Sequence, residues 1–189
     1  DRMISRIGTG REKGMNAVAH VGIPQKDRDV LRRLAGRKAA IALDPLNVER
    51  KRLWYEHDAG GAERPLVLAE VHGVLNESLP DTFLECGDPW ARGLEYGLRM
   101  ELYQFDVLKD DHVVEPFINT NWQVQVGDFG VQPVQHRADN DGRLGARRWD
   151  APINDLDADF SRLHLRTHSV DREGTMAEKE KLEAVFGGI

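Results

Sequence analysis

The sequence has a single cysteine, no long hydrophobic run and no excess of positive charge. Because Cys86 has no possible intrachain partner, nothing requires an oxidising compartment, and a cytoplasmic location is expected. No apolar segment approaches the roughly 20 residues of a membrane-spanning helix, so a membrane protein is not expected. The net charge of -6, with Lys and Arg scattered among acidic residues, argues against nucleic-acid binding, which needs clustered positive charge.

The 189 residues, 40% hydrophobic and 31% charged, are enough for one domain with a core. Residues 1–22 are charged but contain no apolar stretch of the kind that a secretory signal needs. We expect them to form a disordered or extended segment, with Met15 as a candidate natural start. Cys86 is expected to be a semi-buried small residue.

Periodic apolar residues predict three helices. The first covers residues 27–41, where apolar residues recur every three or four positions. The second covers residues 44–60 and the third residues 88–105. Each of these two begins with an Asp-Pro pair, which supplies an N-cap and a proline at the first helical position. The first two helices predict a helical hairpin ahead of any strand.

Two apolar runs flank the third helix and predict strands that are buried on both faces. They are LVLAEV, residues 66–71, and HVVEPFI, residues 112–118. Strand, helix and strand over residues 65–118 predict a βαβ unit with parallel strands and a right-handed crossover.

The chain beyond residue 121 predicts an insertion followed by a helix. WQVQV alternates polar and apolar residues and is expected to turn back into VQPVQH as a β-hairpin after the second strand. Residues 137–150 predict a loop and residues 155–163 a short helix. A capping-box pattern at residues 175–178 predicts the start of a helix that runs through residue 186.

Candidate site residues follow from the predicted strands, because ligands of such units bind at the carboxyl ends of strands. Glu115 is expected to accept hydrogen bonds from a substrate or act as a general base, or instead to pair with a neighbouring Lys or Arg. Glu70 and His72 share one side of a strand end and predict an acid/base pair or a pair of ligand-binding residues. Alternatively, His72 caps a loop and Glu70 pairs with an Arg. We expect Glu70 and Glu115 to open into the same concave site.

Three further residues are candidates for substrate binding. Asn119, Asn121 and Trp122 follow the second predicted strand. They either line a pocket, with the indole as an apolar wall, or belong to a loop packed by its own polar groups. No metal site is predicted within the chain.

The chain resembles a known superfamily in the order of its segments. A helical pre-segment is followed by RPLVLAEVHGVL and then by ECGDPWARGLEYGLRMELYQFDVLKDDHVVEPFI. This order resembles the uroporphyrinogen decarboxylase superfamily, especially decarboxylase-like members related to corrinoid-dependent methyltransferases, from about residue 23 onwards. The resemblance implies an α/β fold, a (β/α)8 TIM barrel with helices before the first strand. A full barrel needs about 250 residues, so residues 23–189 are expected to be its N-terminal part, truncated at the C-terminus and inactive alone.

The superfamily implies two chemistries. Its true decarboxylases use no cofactor, hold the pyrrole nitrogens with an aspartate near the second strand, and bind substrate carboxylates with arginines after the first. Here the nearest carboxylate is Glu115, and EVHGVLNE stands in place of the arginine segment. The sequence therefore disfavours a substrate with many carboxylates. In the methyltransferase relatives, zinc held by His and Cys activates a thiol, and such ligands would lie beyond Ile189.

The resulting hypothesis is a lyase, or a corrinoid- and zinc-dependent methyltransferase, that acts on a small substrate. The expected partners are that substrate, a corrinoid protein and a second copy of the chain in a homodimer. The alternative is a non-catalytic barrel that binds a small molecule. A His-x-Cys…Cys pattern downstream would favour zinc-dependent methyl transfer over the alternative.

Overall fold

The helices and strands of the chain belong to two units. A computed structural model describes residues 3–6, 22–71, 74–137 and 146–189. Unit 1 comprises residues 1–121 and 176–189, and unit 2 comprises residues 122–175. The helices of the described residues are α1 (Gln25–Ala42), α2 (Pro45–Asp58), α3 (Leu75–Ser78), α4 (Pro89–Tyr103), α5 (Leu156–Asp159) and α6 (Arg172–Phe186). The strands are β1 (Met3–Arg6), β2 (Phe117–Thr120), β3 (Gln123–Val126), β4 (Val134–Arg137), β5 (Arg147–Asp150) and β6 (His168–Asp171).

The core of unit 1 is formed by apolar residues of α1, α4 and α6, together with the loop before α4. It consists of buried residues from all four segments, namely Val30, Leu31, Leu34, Ala35, Cys86, Ala91, Leu98, Leu182, Val185 and Phe186. A smaller buried cluster joins Ile41, Phe105 and Val114. The helical periodicity of residues 27–41 and 88–105 therefore does mark buried faces.

The two Asp-Pro helix starts are confirmed. The Asp44 carboxylate accepts a hydrogen bond from the Leu46 backbone N–H at 2.8 Å at the start of α2. Asp88 accepts one from Ala91 at 2.9 Å at the start of α4. Each proline occupies the first turn, where its missing N–H leaves no intrahelical bond unmade.

A π-helical turn continues α4 to Leu108, and Lys109 ends it in the left-handed region with a φ of 55°. Lys109 is the first residue of the Lys-Asp-Asp sequence that follows the helix. The reversal directs the chain into the irregular segment 110–116, from which the candidate residue Glu115 projects.

Two buried carboxylates fix the loop before α4. Glu95 is fully buried and accepts backbone hydrogen bonds from Glu85 and Cys86. Asp27 on α1 accepts hydrogen bonds from the next two backbone N–H groups, those of residues 87 and 88. Burial acts to raise the pKa of Glu95, but these donors and the Arg99 guanidinium outweigh it and hold the pKa below its usual value. The loop is thus anchored to α1 by Asp27 and to α4 by Glu95.

Unit 2 consists of short antiparallel strand pairs. β3 pairs with β6 and β4 pairs with β5. Every residue of these four strands is exposed, and Thr175 is the buried residue among those described in the unit. Backbone pairing and local contacts, such as the Arg166 guanidinium 4.9 Å from the centroid of the Phe129 ring, hold its segments together.

The predicted fold class, the N-terminal part of a TIM barrel, is wrong. The described strands form three two-stranded sheets, and each pair is antiparallel. The βαβ unit is absent from the described residues, because β2 pairs with β1, and not with residues 66–71. Of the strand predicted at residues 112–118, only residues 117 and 118 lie in a strand, because β2 spans Phe117–Thr120.

In residues 66–71, which form no strand, carboxylates bind two of the backbone N–H groups that a strand partner would otherwise bind. The Val67 N–H donates to Asp111 Oδ2 at 2.9 Å and the Ala69 N–H to Asp110 Oδ2 at 2.7 Å. The Asp111 N–H in turn donates to the Val67 carbonyl. Val67 and Leu68 are exposed, so the apolar run is not buried on both faces.

The predicted hairpin insertion and the start of the last helix are also corrected. β3 pairs with the distant β6, and not with residues 131–136, and residues 147–150 of the predicted loop form β5. The short helix predicted at residues 155–163 is present as α5 and a following 3-10 turn. The last helix begins at Arg172, and Thr175 lies inside it, where its hydroxyl donates to the Asp171 carbonyl.

The described helices include none whose length and apolar character would let it cross a membrane. Of the N-terminal segment, residues 3–6 form β1, while residues 1, 2 and 7–21 lie outside the described part. The expectation of a disordered or extended segment there stays a prediction.

Candidate functional site

Of the predicted site residues, Glu115 and Asn119 lie together in one concave region of unit 1. Glu115 is half-buried just before β2, and Asn119 is exposed on β2, with Ile4 of β1 as its Cα partner. Both line a cavity of about 460 Å³ beside α4, which we call the α4 cleft. The catalytic role predicted for Glu115 and the substrate-binding role predicted for Asn119 stay predictions.

The other predicted site residues either do not line the α4 cleft or lie outside the described residues. Glu70 is exposed in the irregular segment that ends at residue 71, and it is not among the described lining residues of the α4 cleft. His72 lies outside the described residues. Asn121 is exposed at the end of unit 1, whereas Trp122 belongs to unit 2, where the Arg172 guanidinium lies 5.3 Å from its ring centroid. The catalytic and binding roles assigned to these residues remain predictions.

One wall of the α4 cleft is a single face of α4. Its lining residues recur at the spacing of a helical face and are Gly93, Leu94, Gly97, Leu98 and Glu101. The two glycines leave this wall open, since a Cβ atom built on either meets no other group within 4 Å. The leucines supply an apolar floor.

The opposite wall is the chain from residue 112 to residue 119. Val113, Phe117 and Ile118 add apolar surface, and the polar groups of His112 and Glu115 lie beside them. A mostly apolar cavity with a few convergent polar groups is typical of sites that bind small molecules.

A buried asparagine holds this second wall in place. The Val114 N–H donates to Asn47 Oδ1 at 2.8 Å, and Asn47 Nδ2 donates to the Val114 carbonyl at 2.9 Å. The side-chain amide therefore pairs with the backbone as a neighbouring strand would. Because Val114 is 1% exposed and clamped on both sides, the adjacent Glu115 starts from a fixed backbone position.

A lysine of α2 fixes the Glu115 side chain. Lys51 Nζ lies 3.1 and 3.0 Å from the two carboxylate oxygens of Glu115. The Glu115 side chain is 35% exposed, so solvent reaches it and screens the ion pair. The structure thus realises the alternative in which Glu115 pairs with a neighbouring basic residue, and the carboxylate still borders the cleft.

A second ion pair closes the other end of the cleft. The Lys38 ammonium of α1, 5% exposed, hydrogen bonds to the Glu101 carboxylate of α4. The lining of the α4 cleft therefore contains one ammonium and two carboxylates, with His112 as a further titratable group. This balance favours a ligand with a positive or hydrogen-donating group.

The backbone leading into the cleft is anchored by a third ion pair. Arg64 donates to both carboxylate oxygens of Asp111, at 2.7 and 2.6 Å. This hydrogen bonding lowers the pKa of Asp111 to about 2, and the Val67 N–H acts in the same direction against the effect of burial. Trp54 Nε1 also donates to the Asp111 carbonyl at 2.7 Å. Residues 111–115 are held at several points as a result.

The described residues contain no group of three or more His, Cys, Asp or Glu side chains placed to hold a metal ion. Zinc bound through residues beyond Ile189, which the sequence resemblance implies, stays a prediction.

Sequence reasoning missed the groups that hold Glu115 and close the cleft. Asn47 and Lys51 are four residues apart on α2 and so lie on the same helical face. That spacing is a signal, but α2 was interpreted through its apolar residues. In the structure the buried residues of α2 are Asn47 and Arg50, while Leu46 is half exposed.

Models of protein families, curated proteins and solved structures give no match to this chain. The resemblance to the uroporphyrinogen decarboxylase superfamily therefore stays a prediction from the sequence, although the barrel that it implied is wrong.

Proposed function

We propose that the chain binds a small organic molecule in the α4 cleft. The observation that carries this proposal is a half-buried carboxylate, that of Glu115, held at the edge of an apolar cavity of about 460 Å³. Cavities of roughly 300 to 1,000 Å³ suit small-molecule ligands.

The two walls of the α4 cleft would supply both apolar contacts and hydrogen bonds to the ligand. The leucine side chains of α4 and the apolar residues of the opposite wall would bury the body of the ligand, and burial of apolar area supplies the main free energy. Glu115 would accept a hydrogen bond from an N–H or O–H group of the ligand. Asn119, with both a donor and an acceptor in its side chain, would add directionality.

Glu115 is suited to accept a hydrogen bond from a ligand because its carboxylate stays partly exposed beside its partner Lys51. Lys51 orients the carboxylate through both oxygens, yet each oxygen has further lone pairs that accept hydrogen bonds. A ligand donor would therefore bind to a preset acceptor, and little side-chain entropy would be lost.

The two glycines of the cleft allow a sharp test. We expect Gly97→Ala to place a methyl group in the space that the ligand would occupy, without a clash with the protein. The substitution should also stabilise α4 by about 1 kcal/mol, because glycine is a poor helix former. Ligand-observed NMR with a library of small amides, alcohols and amines should therefore show weaker binding to a more stable protein.

Gly36→Ala is the matched control. Gly36 lies within α1, and a Cβ atom there also meets nothing within 4 Å, but the residue does not line the α4 cleft. It should gain similar helix stability and keep the binding of every library member. Equal binding to the wild type, Gly97→Ala and Glu115→Gln would contradict the proposal.

A second candidate is the catalysis implied by the sequence resemblance, namely a lyase reaction or corrinoid-dependent methyl transfer on a small substrate. The observation that favours it is that Glu115, the carboxylate nearest to the substrate-binding aspartate of that superfamily, lies at a cavity. A positioned carboxylate of this kind is able to act as a general base. Release of carbon dioxide, or methyl transfer to a thiol, that falls with Glu115→Gln and not with Glu70→Gln would support it.

A further inference from the structure

A second cavity borders α2 on unit 1. Its volume is about 280 Å³, and its lining includes Lys51, Trp54, Tyr55, Asp58, His112 and Glu115. We call it the α2 groove. The first four of these residues recur at positions i, i+3, i+4 and i+7 of α2, which places them on one helical face.

Two aromatic side chains line the α2 groove. The Trp54 indole has a fixed position, because its Nε1 donates to the Asp111 carbonyl at 2.7 Å, and Asp111 is itself held by Arg64. The Tyr55 side chain is 66% exposed. Burial in the core of unit 1 does not explain this exposed ring, which lines the same cavity as the fixed indole.

The charges of the α2 groove are mainly negative. Asp58 and Glu115 contribute two carboxylates against the single ammonium of Lys51, and that ammonium is bound to Glu115. Asp58 is also the last residue of α2, where the partial negative charge of the helix C-terminus adds to its own. An anionic ligand would be repelled here.

We propose that the α2 groove binds a small organic cation, of the methylated ammonium class, against the Trp54 and Tyr55 rings that line it and beside the Asp58 carboxylate. Aromatic faces attract such cations through their quadrupoles, and the methyl groups gain apolar contact with the same rings. A bare inorganic cation would lack that apolar contact and would lose its water shell without replacement ligands. This cation site differs from the ligand site proposed in the α4 cleft, although Glu115 and His112 border both cavities.

Choline and its uncharged isostere 3,3-dimethylbutan-1-ol are a matched pair of probes. They share shape and hydroxyl group and differ in the quaternary nitrogen. Titration of the full chain at low ionic strength would follow the Trp54 indole N–H in nitrogen-15 NMR spectra, with the signal assigned from a Trp54→Phe spectrum. We expect saturable binding of choline with a Kd on the order of 1 mM and roughly tenfold weaker binding of the isostere.

Variants locate the site. Tyr55→Leu should raise the Kd for choline roughly fivefold and Asp58→Asn roughly threefold, whereas Tyr55→Phe keeps the ring and the affinity. Both positions are exposed, so the variants should fold, and the dispersion of the same spectra checks this. Asp81→Asn, an exposed carboxylate change away from the groove, is the charge control.

Gly97→Ala separates the two sites, because it changes the α4 cleft and should leave choline binding unchanged. The inference is overturned if choline and the isostere bind equally, or if no saturable shift occurs. It is also overturned if Tyr55→Leu and Asp58→Asn leave the Kd as in the wild type.

Discussion

At the scale of single residues, Asp111 shows how one carboxylate can replace a strand partner. It binds the Arg64 guanidinium and the Val67 backbone N–H, and its main-chain N–H binds the Val67 carbonyl. The Val67 N–H and carbonyl belong to the segment that was predicted to be a buried strand, and these contacts give both groups a hydrogen-bond partner. A segment with high β-propensity can stay outside a sheet when side-chain oxygens accept the hydrogen bonds of its backbone N–H groups.

The low pKa of Asp111 predicts a pH-dependent contribution to stability. Because this pKa falls from its ordinary 3.8 to about 2 on folding, the contribution is complete above about pH 4 and is lost as the pH falls towards 2. We expect Asp111→Asn to lower the free energy of unfolding by about 1–2 kcal/mol at pH 7, an amount reduced by the exposure of Arg64.

Urea unfolding at a series of pH values is the measurement. The penalty of Asp111→Asn should shrink steadily below about pH 4. Asp81→Asn, at an exposed position, should cost less than about 0.5 kcal/mol at every pH. A penalty of equal size at pH 7 and pH 2.5 would show that the charge of Asp111 does not stabilise the fold.

Cys86 is a residue whose interpretation from the sequence was close to the structure. It was expected to be a semi-buried small residue, and it is 2% exposed within the core of unit 1. Burial raises the pKa of its thiol to about 12, and the neighbouring Glu95 carboxylate adds to the effect. The thiol is therefore protonated at neutral pH, which is the opposite of what a reactive cysteine needs.

At the scale of elements, α2 packs through polar side chains, and this limited what the sequence could reveal. Its buried positions are Asn47 and Arg50, and the Arg50 guanidinium lies 5.0 Å from the centroid of the Phe105 ring. Apolar periodicity predicts α1 and α4 well because their buried faces are apolar. It has no means of identifying a face whose partners are backbone groups of a distant loop.

Asn47 gives a direct test of this packing. We expect Asn47→Ala to lower the free energy of unfolding by about 2–4 kcal/mol, because the buried N–H and carbonyl of Val114 both lose their partner. Val48→Ala, at the next position but exposed, should change it by less than about 0.5 kcal/mol. Urea unfolding measures both, and amide exchange at Val114 should accelerate in the first variant. Similar costs for the two would contradict the role of Asn47.

The same limit explains the candidate site. Glu115 was singled out by its place in a predicted strand and Asn119 by following that strand, and both residues line the α4 cleft. The supporting Lys51 and the closing Lys38–Glu101 pair come from helices that the sequence pattern treated as scaffold. Pairings between residues more than 60 positions apart leave no local pattern in the sequence.

At the scale of the whole molecule, unit 2 is inserted into unit 1. Its two ends meet, since the Gln123 N–H donates to Thr175 Oγ1 at 2.9 Å. The apolar clusters of buried residues in the described chain both belong to unit 1. Unit 1 should therefore not depend on unit 2 for its core.

We expect a chain in which residues 124–174 are replaced by a short Gly-Ser linker to keep the helices of unit 1 and a cooperative thermal transition. Circular dichroism would measure both. Removal of residues 176–189 is the contrasting change. It should abolish the transition, because Leu182, Val185 and Phe186 belong to the core. An unfolded product from the first change would show that unit 2 stabilises unit 1.

The late position of α6 also has a consequence for the order in which the protein can fold during synthesis. At roughly 5–20 residues per second, about 4–17 s pass between translation of Leu98 and of Leu182, its partner in the core. Throughout that interval the nascent α1 and α4 present an apolar stripe without its final cover. We therefore expect newly made chains to be prone to aggregation through this stripe until α6 has been synthesised and covers it.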